Sequence, residues 1–169
     1  MSCNTLTGST KDCGPNVKGI KAIYIADLLD VSTTTVVAGV VTAITMSATS
    51  PAGLFYKYEF RKTSGSNYTE DQVDPSVGLD GWAQVVTLIL NKREIDTRNE
   101  IAVLAEGFRD LVFIIQDNND NYWYFGAANG LNLTATTGGS ESANYTMTFT
   151  GEETYQAYKF TYSLLAAII

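Results

Sequence analysis

Apolar and polar residues alternate along most of this chain, which is the two-residue period of a β-strand. In the segment "GIKAIYIA", the alternation sets one group of side chains against another: Ile20, Ala22, Tyr24 and Ala26 against Lys21, Ile23 and Ile25. Successive side chains of a strand point to opposite faces, so each group occupies one face. The pattern predicts a strand near the N-terminus.

The same period, or an apolar run bounded by turn residues, predicts further strands. These segments are "LFYKYEFRKT", "WAQVVTLILNK", "LVFIIQD", "YWYFG", "GLNLTATT", "YTMTFT" and "TYQAYKFTY". In "GLNLTATT" we expect Leu131, Leu133 and Ala135 to face inward. In "YTMTFT" we expect Tyr145, Met147 and Phe149 on one side of the strand and the three threonines on the other. The last two strands are expected to pair with each other through the short turn Gly151-Glu152-Glu153.

Four other segments are interpreted separately. Residues 97–108 follow a helical period, with Thr97 and Glu100 as a capping box and Gly107 near the end, which predicts one helix. The polar stretch 64–81 predicts a hairpin tip or a long loop. "DLLDVSTTT" is typical of a connection, and the β-branched run Val36–Met46 predicts one extended segment.

These elements predict one mainly β domain: a β-sandwich or partly closed barrel of about eight strands with one flanking α-helix. We expect an N-terminal arm at residues 1–18, the β domain at 19–163 and an apolar C-terminal tail, "LLAAII", at 164–169. A length of 169 residues suits one domain.

Composition narrows the function. Charged residues are 17% of the chain against 45% hydrophobic, which favours a surface that is largely covered by other molecules. The net charge of −7 argues against a general attraction to nucleic acid. No apolar run is long enough to span a bilayer and no signal peptide is recognisable, so we expect a soluble protein made in the cytoplasm, with no membrane insertion. Whether Cys3 and Cys13 pair stays open.

The sequence offers little support for catalysis. Histidine is absent, which removes the commonest general base and transition-metal ligand. Glu152 and Glu153 are expected in a solvated turn, and "DNNDN", residues 117–121, favours a hairpin turn over a calcium loop because Tyr122 stands where the glycine should be. We therefore predict no enzyme activity, catalytic residue, metal or cofactor.

The aromatic cluster "YWYF" allows two interpretations. Strand geometry sends Tyr122 and Tyr124 to one face and Trp123 and Phe125 to the other, so one pair is expected in the core. The other pair is expected in an interface or, as an alternative, in a carbohydrate-binding or adhesin-type β-sandwich module.

From Trp82 to Phe160, the order of elements resembles that of the tail-tube family of tailed bacteriophages. It runs through a buried strand, a capped helix, a buried strand, the "DNNDN" turn, an aromatic strand, "GLNLT" and "YTMTFTGEE". The N-terminal "CNTL" and "CGPNVKGIKAIYIAD" also resemble tail proteins of phages that infect Bacteroides-like hosts. This resemblance implies a virion structural protein of the tail, made in the host cytoplasm.

The resemblance further implies a homo-oligomeric ring, a hexamer or a dodecamer, around a channel that double-stranded DNA crosses without specific binding. Other tail or portal-proximal proteins are the expected partners. The expected inter-subunit contacts are Tyr158, Phe160, Leu164, Leu165, Ile168 and Ile169. The expected inter-ring loop carries Asn67, Glu70, Asp71 and Asp74. On this hypothesis, deleting Leu164–Ile169 weakens assembly more than folding.

Overall fold

The computed structural model describes residues 17–48, 53–60, 65–73, 81–90, 99, 102–104, 109–138 and 144–169. Within these ranges the chain forms eleven β-strands and two 3-10 helices, Leu28–Asp30 and Tyr162–Ala167. The strands are β1 Ile20–Asp27, β2 Val31–Val37, β3 Val40–Met46, β4 Tyr56–Glu59, β5 Asn67–Gln72, β6 Trp82–Leu90, β7 Leu111–Asp117, β8 Tyr122–Phe125, β9 Asn132–Thr137, β10 Tyr145–Glu153 and β11 Tyr158–Phe160.

The strands form two sheets, which confirms the prediction of a mainly β fold. The larger sheet has seven strands in the order β2-β3-β11-β8-β7-β1-β4, and the smaller has four in the order β5-β6-β10-β9. All neighbouring strands are antiparallel except β11 and β3, which are parallel. In the described part of the chain neither sheet closes on itself, so the barrel detail of the prediction is not supported.

Apolar side chains between the two sheets form a cluster that we call the central core. Its buried members are Ile20, Ile23, Ile25, Val86, Leu88, Leu111, Phe113, Ile115, Phe125, Leu131, Met147 and Phe149. The rings of Phe113 and Phe149, one from each sheet, lie 5.0 Å apart. The fold is therefore two sheets held together by the inward faces of their alternating strands.

A second cluster covers the opposite face of the seven-stranded sheet, and we call it the second core. Its buried members are Ala22, Tyr24, Ala26, Val41, Phe55, Val112, Ile114, Tyr122, Tyr124, Phe160, Leu165 and Ile168. Strand β7 is buried along its whole length because one face meets the central core and the other meets the second core. Its continuous apolar sequence follows from this double burial.

The segment predicted as one extended strand, Val36–Met46, spans a hairpin instead. Strands β2 and β3 pair through a turn at Ala38 and Gly39, whose φ angles are 51° and 78°. Two successive positive φ values match the hairpin turn whose twist suits antiparallel strands. The "DLLDVSTTT" segment, predicted as a connection, contains a 3-10 helix and most of β2.

One prediction about strand pairing was wrong, and one alternative was favoured over the other. Strand β10 pairs with β6 and β9 in the smaller sheet, whereas β11 pairs with β8 and β3 in the larger one, so the last two strands are not partners. The predicted long loop 64–81 contains β5, which pairs with β6 as a hairpin, in line with the hairpin alternative. Residues 74–80 of that segment lie outside the described residues.

The remaining expectations fare differently. Residues 99 and 102–104 are helical, but the rest of the predicted helix 97–108 lies outside the described residues, so that helix stays a prediction. Met147 and Phe149 are buried and Tyr145 is half-buried. Ala135, predicted to face inward, is exposed because β9 is an edge strand with a bulge in its pairing to β10. Residues 1–16 of the predicted arm, with Cys3 and Cys13, lie outside the described residues.

Candidate functional site

The apolar C-terminal segment, predicted to contact a neighbouring copy, packs largely on its own chain. Phe160, Leu165 and Ile168 belong to the second core, and Ile168 is only 2% exposed. The Ile168 carbonyl also accepts a hydrogen bond from the Phe55 N–H at 2.8 Å. For these three residues, the apolar surface that prompted the prediction is already covered within the chain.

The other three predicted contact residues retain accessible surface. Tyr158 and Leu164 are half-buried, and Ile169 is 55% exposed. Burial raises the pKa of Tyr158, with Tyr155 and Glu153 adding to the effect. A contact between copies at Tyr158, Leu164 and Ile169 therefore stays a prediction.

The predicted inter-ring residues lie on an edge strand rather than in a long loop. Asn67, Glu70 and Asp71 belong to β5, while Asp74 lies outside the described residues. Asn67 and Asp71 are exposed. The half-buried Glu70 carboxylate accepts hydrogen bonds from the Ala157 N–H and from Gln84 Nε2, so it also supports the fold internally.

The chain crosses from the smaller sheet to the larger one at residues 154–157, beside a set of buried polar groups. Gln84 is 2% exposed, and its Oε1 accepts the Gly126 N–H at 2.9 Å. Its Nε2 donates to Glu70 and to the Tyr155 carbonyl, both at 3.4 Å. This one side chain therefore ties β5, β6, the loop after β8 and the crossover together.

Glu153, predicted in a solvated turn, is buried instead, and that prediction was wrong. Its side chain is 4% exposed and accepts hydrogen bonds from three successive backbone N–H groups. The Asn129 N–H lies at 2.8 Å from Oε1, and the Ala128 and Gly130 N–H groups lie at 3.2 Å from it. Backbone N–H groups that converge in this way form a site for an anionic oxygen, and the carboxylate of Glu153 occupies it.

The "DNNDN" turn joins β7 to β8, which confirms the predicted hairpin. Asp117 Oδ1 accepts the N–H groups of Asn119 at 2.8 Å and Asn121 at 2.9 Å, so the side chain folds the turn around itself. Asn119 bonds both the N–H and the carbonyl of Val17, at 2.8 Å and 3.0 Å. Lys21 forms an ion pair with Asp120 at 2.7 Å.

The aromatic strand β8 places its side chains on both faces, as the alternation predicted. Tyr122 and Tyr124 lie in the second core, Phe125 lies in the central core, and the half-buried Trp123 packs against the central core. Burial, with smaller contributions from Tyr24, Tyr162 and Asp120, raises the pKa of Tyr122 to about 12. Both pairs therefore contribute to cores, and two of the four residues, Trp123 and Tyr122, each also border a pocket.

Trp123 borders a pocket of about 620 Å³ beside the β7–β8 turn, which we call the Trp123 pocket. Its lining includes Trp123 and Asp117 from the larger sheet and Asn67 and Tyr68 from β5 of the smaller sheet. Asn119 and Asn121 of the turn complete it. The sequence pointed to Trp123 but not to Tyr68. Tyr68 lies on β5, which comes close to the β7–β8 turn only because the two sheets pack against each other.

Another pocket, of about 540 Å³, lies on the other side of the same turn. Tyr122 and the exposed Tyr162 line it, with their ring centres 5.3 Å apart. Among the described residues, no group of three Cys, Asp or Glu side chains is arranged to hold a metal ion. Nor does any helix in the described ranges combine the length and the apolar character needed to cross a bilayer.

Comparison with known proteins gives no family assignment. The chain matches no protein family model, no curated protein and no solved structure.

Proposed function

We propose that this chain is a structural subunit of a bacteriophage tail that associates with copies of itself into a ring around a central DNA channel. The observation that carries the proposal is the distribution of charge over the edges of the two sheets. It is joined by the resemblance of the sequence to tail-tube proteins.

Four strands form the sheet edges in the described part of the chain: β2 and β4 in the larger sheet, β5 and β9 in the smaller one. Strand β4 carries Lys57 and Glu59, and β5 carries Glu70 and Asp71. Strands β2 and β9, "VSTTTVV" and "NLTATT", contain no charged residue and no proline. Charged residues on an edge strand discourage pairing with other chains, so β2 and β9 are the two edges suited to it.

One such edge in each sheet provides two different surfaces, which is compatible with a ring. A closed ring with one type of interface joins two different surfaces of neighbouring copies, so that each copy uses both. In this proposal β2 of one copy pairs with β9 of the next. The exposed Val37 at the end of β2, and Ile169 and Tyr162 at the C-terminus, supply apolar surface beyond the strands.

Electrostatics suits the passage of DNA through such a ring. The net charge of −7 gives the chain no general attraction to phosphate groups, so DNA slides past without specific binding. A hexamer or a dodecamer satisfies the proposal equally. In either ring, the exposed residues Asn67 and Asp71 of β5 would face the next ring or another tail protein.

The test places a lysine on each edge in turn. Thr35→Lys in β2 and Ala135→Lys in β9 introduce a charge at exposed positions, and Thr69→Lys in the already charged β5 is the matched control. Negative-stain electron microscopy and sedimentation should show closed rings for the wild type and the control, with or without tail partners. The control tests ring closure only, because Thr69 lies between Asn67 and Asp71, which face the next ring in this proposal. The two edge variants should stay monomeric while keeping the circular dichroism spectrum of the wild type.

Two results would contradict the proposal. One is a wild-type protein that remains a monodisperse monomer at high concentration, alone and with tail partners. The other is loss of assembly in the Thr69→Lys control to the same extent as in the edge variants, because the uncharged edges would then have no special role.

A further inference from the structure

We infer that the Trp123 pocket binds one ring of a neutral sugar. This site is separate from β2 and β9, the edges proposed to close the ring. It shares Asn67 with the surface proposed to face the next ring, so the inference concerns copies in which that surface is uncovered. It depends on three properties of the pocket: two fixed aromatic rings, polar groups held in place by hydrogen bonds, and a nearly balanced charge.

The aromatic walls are rigid. Trp123 packs against the central core, and Tyr68 meets Phe125 edge to face with ring centres 5.2 Å apart. Because the two residues come from different sheets, they border the pocket from two directions. The C–H face of a sugar ring is an apolar surface that packs on aromatic side chains, which bring large contact area at low entropic cost.

The polar walls are fixed by the folding of the β7–β8 turn. Asp117 Oδ2 accepts hydrogen bonds from Asn121 Nδ2 at 3.2 Å and Trp123 Nε1 at 3.4 Å, which orients the amide and the indole together. Asn119 is held by the backbone of Val17. A side-chain amide both donates and accepts, as a sugar hydroxyl does, so the two groups are complementary. Groups held in advance lose less entropy when a ligand binds.

Charge and size narrow the ligand class. Lys18 and Asp117 are the only charged residues among those that line the pocket in the described part of the chain, and their charges are opposite. Phosphorylated ligands and nucleic acids select clusters of basic side chains, which this pocket lacks. Its volume of about 620 Å³ lies within the range of small-ligand sites, about 300–1,000 Å³. A neutral sugar meets all three conditions.

The two tryptophans of the chain allow a direct binding assay. Trp82→Phe leaves Trp123 as the only tryptophan, so its fluorescence reports on the pocket. The probes are neutral oligosaccharides of β-1,4-linked glucose, N-acetylglucosamine and mannose, and of α-linked glucose and mannose. We expect at least one of them to change the emission of Trp123 in a saturable way at millimolar concentration or below.

Two variants in the Trp82→Phe background place the site. Tyr68→Ala should weaken binding about tenfold, as loss of one aromatic contact of about 1.4 kcal/mol would. Asn67→Phe adds a ring at an exposed position on the same strand and should block binding without disturbing either core. It replaces Tyr68→Ala if circular dichroism shows that the alanine variant is unfolded. Tyr162→Ala, on the other side of the turn, is the matched control and should bind as before.

The inference is overturned if no probe changes the Trp123 emission in a saturable way. It is also overturned if Tyr162→Ala reduces binding while Asn67→Phe leaves it unchanged, because the sugar would then occupy the neighbouring pocket.

Discussion

The two cores of this protein bury similar kinds of side chain but are covered in different ways. The central core lies between two sheets, so regular strands supply both of its walls. The second core has strands on one side, and Leu165 and Ile168 of the C-terminal segment help to cover the other. Strand periodicity therefore predicts the first kind of core, whereas the second depends on a short irregular segment whose position no local pattern specifies.

The comparison predicts unequal consequences when each core is damaged. In the central core, Phe113→Ala removes a fully buried ring that contacts Phe149 across the two sheets. We expect the free energy of unfolding to fall by about 3–5 kcal/mol, from lost burial and the cavity left behind. Chemical denaturation monitored by circular dichroism measures the change. A loss of less than about 1 kcal/mol would mean that the two sheets do not pack as described.

In the second core, Ile168→Ala should cost about 2–4 kcal/mol, because Ile168 is buried and its truncation loses apolar contacts and leaves a cavity. Ile169→Ala, at the adjacent exposed position, is the control and should change stability by less than about 0.5 kcal/mol. Denaturant melts of both variants measure the difference. If the two variants are equally stable, the C-terminal segment does not seal this core.

Deleting Leu164–Ile169 extends the same test. The sequence alone suggested that this deletion weakens assembly more than folding. The burial of Leu165 and Ile168 instead predicts a loss of folding stability, with assembly lost as a consequence. Circular dichroism and sedimentation on the same sample separate the two. A deletion variant that melts like the wild type yet fails to assemble would restore the original hypothesis.

Glu153 lies where the chain leaves the smaller sheet for the larger one, so it tests the link between the two regions. Glu153→Gln keeps the size of the side chain but offers one acceptor oxygen in place of two and adds donors near backbone N–H groups. We expect a loss of about 1–3 kcal/mol. Glu152→Gln, at the exposed neighbour, is the control and should have little effect. Equal free energies of unfolding for the two variants would show that the N–H groups of residues 128–130 do not depend on the Glu153 carboxylate.

The smallest expected effect concerns alkaline pH and the second core. Burial raises the pKa of Tyr122 from 10.0 to about 12, which means that the folded state favours the neutral phenol. The stability that the buried, neutral Tyr122 phenol contributes is therefore complete below pH 10.0 and is lost as the pH rises towards about 12. Tyr122→Phe should show a smaller fall in melting temperature over this interval. An unchanged fall would mean that other buried tyrosines, such as Tyr24 and Tyr124, account for it.

The strands that the sequence predicts well are those with a long, clear apolar pattern. Strands β6, β7 and β10 extend over seven to nine residues, and their buried positions are mainly the apolar ones. The exceptions are the buried polar residues Gln84, Gln116, Asp117 and Glu153. The β2–β3 hairpin was missed because "VVAGVV" is β-branched on both sides of a two-residue turn, and alanine at a positive φ is uncommon. A glycine inside a β-branched run was the one available signal.

Long-range contacts account for the rest of what the sequence did not predict. Glu153 meets backbone groups 23 to 25 residues away, and nothing near it in the sequence distinguishes it from the exposed Glu152. Strands β10 and β11 were predicted to pair because they are adjacent in sequence. They do not pair, because residues 154–157 connect the smaller sheet to the larger one. For the Trp123 pocket, the sequence predicted the aromatic strand β8 but not the opposite wall, which Asn67 and Tyr68 of β5 form.

The position of β11 constrains the order in which this protein can fold during synthesis. Strand β11 lies between β3 and β8, although it is the most C-terminal of the described strands. The β2–β3 hairpin emerges from the ribosome early but has no place in the larger sheet until β11 follows, more than a hundred residues later. During that interval its uncharged strands are exposed in the nascent chain, so translation has to reach β11 before the β3 edge of the hairpin is paired.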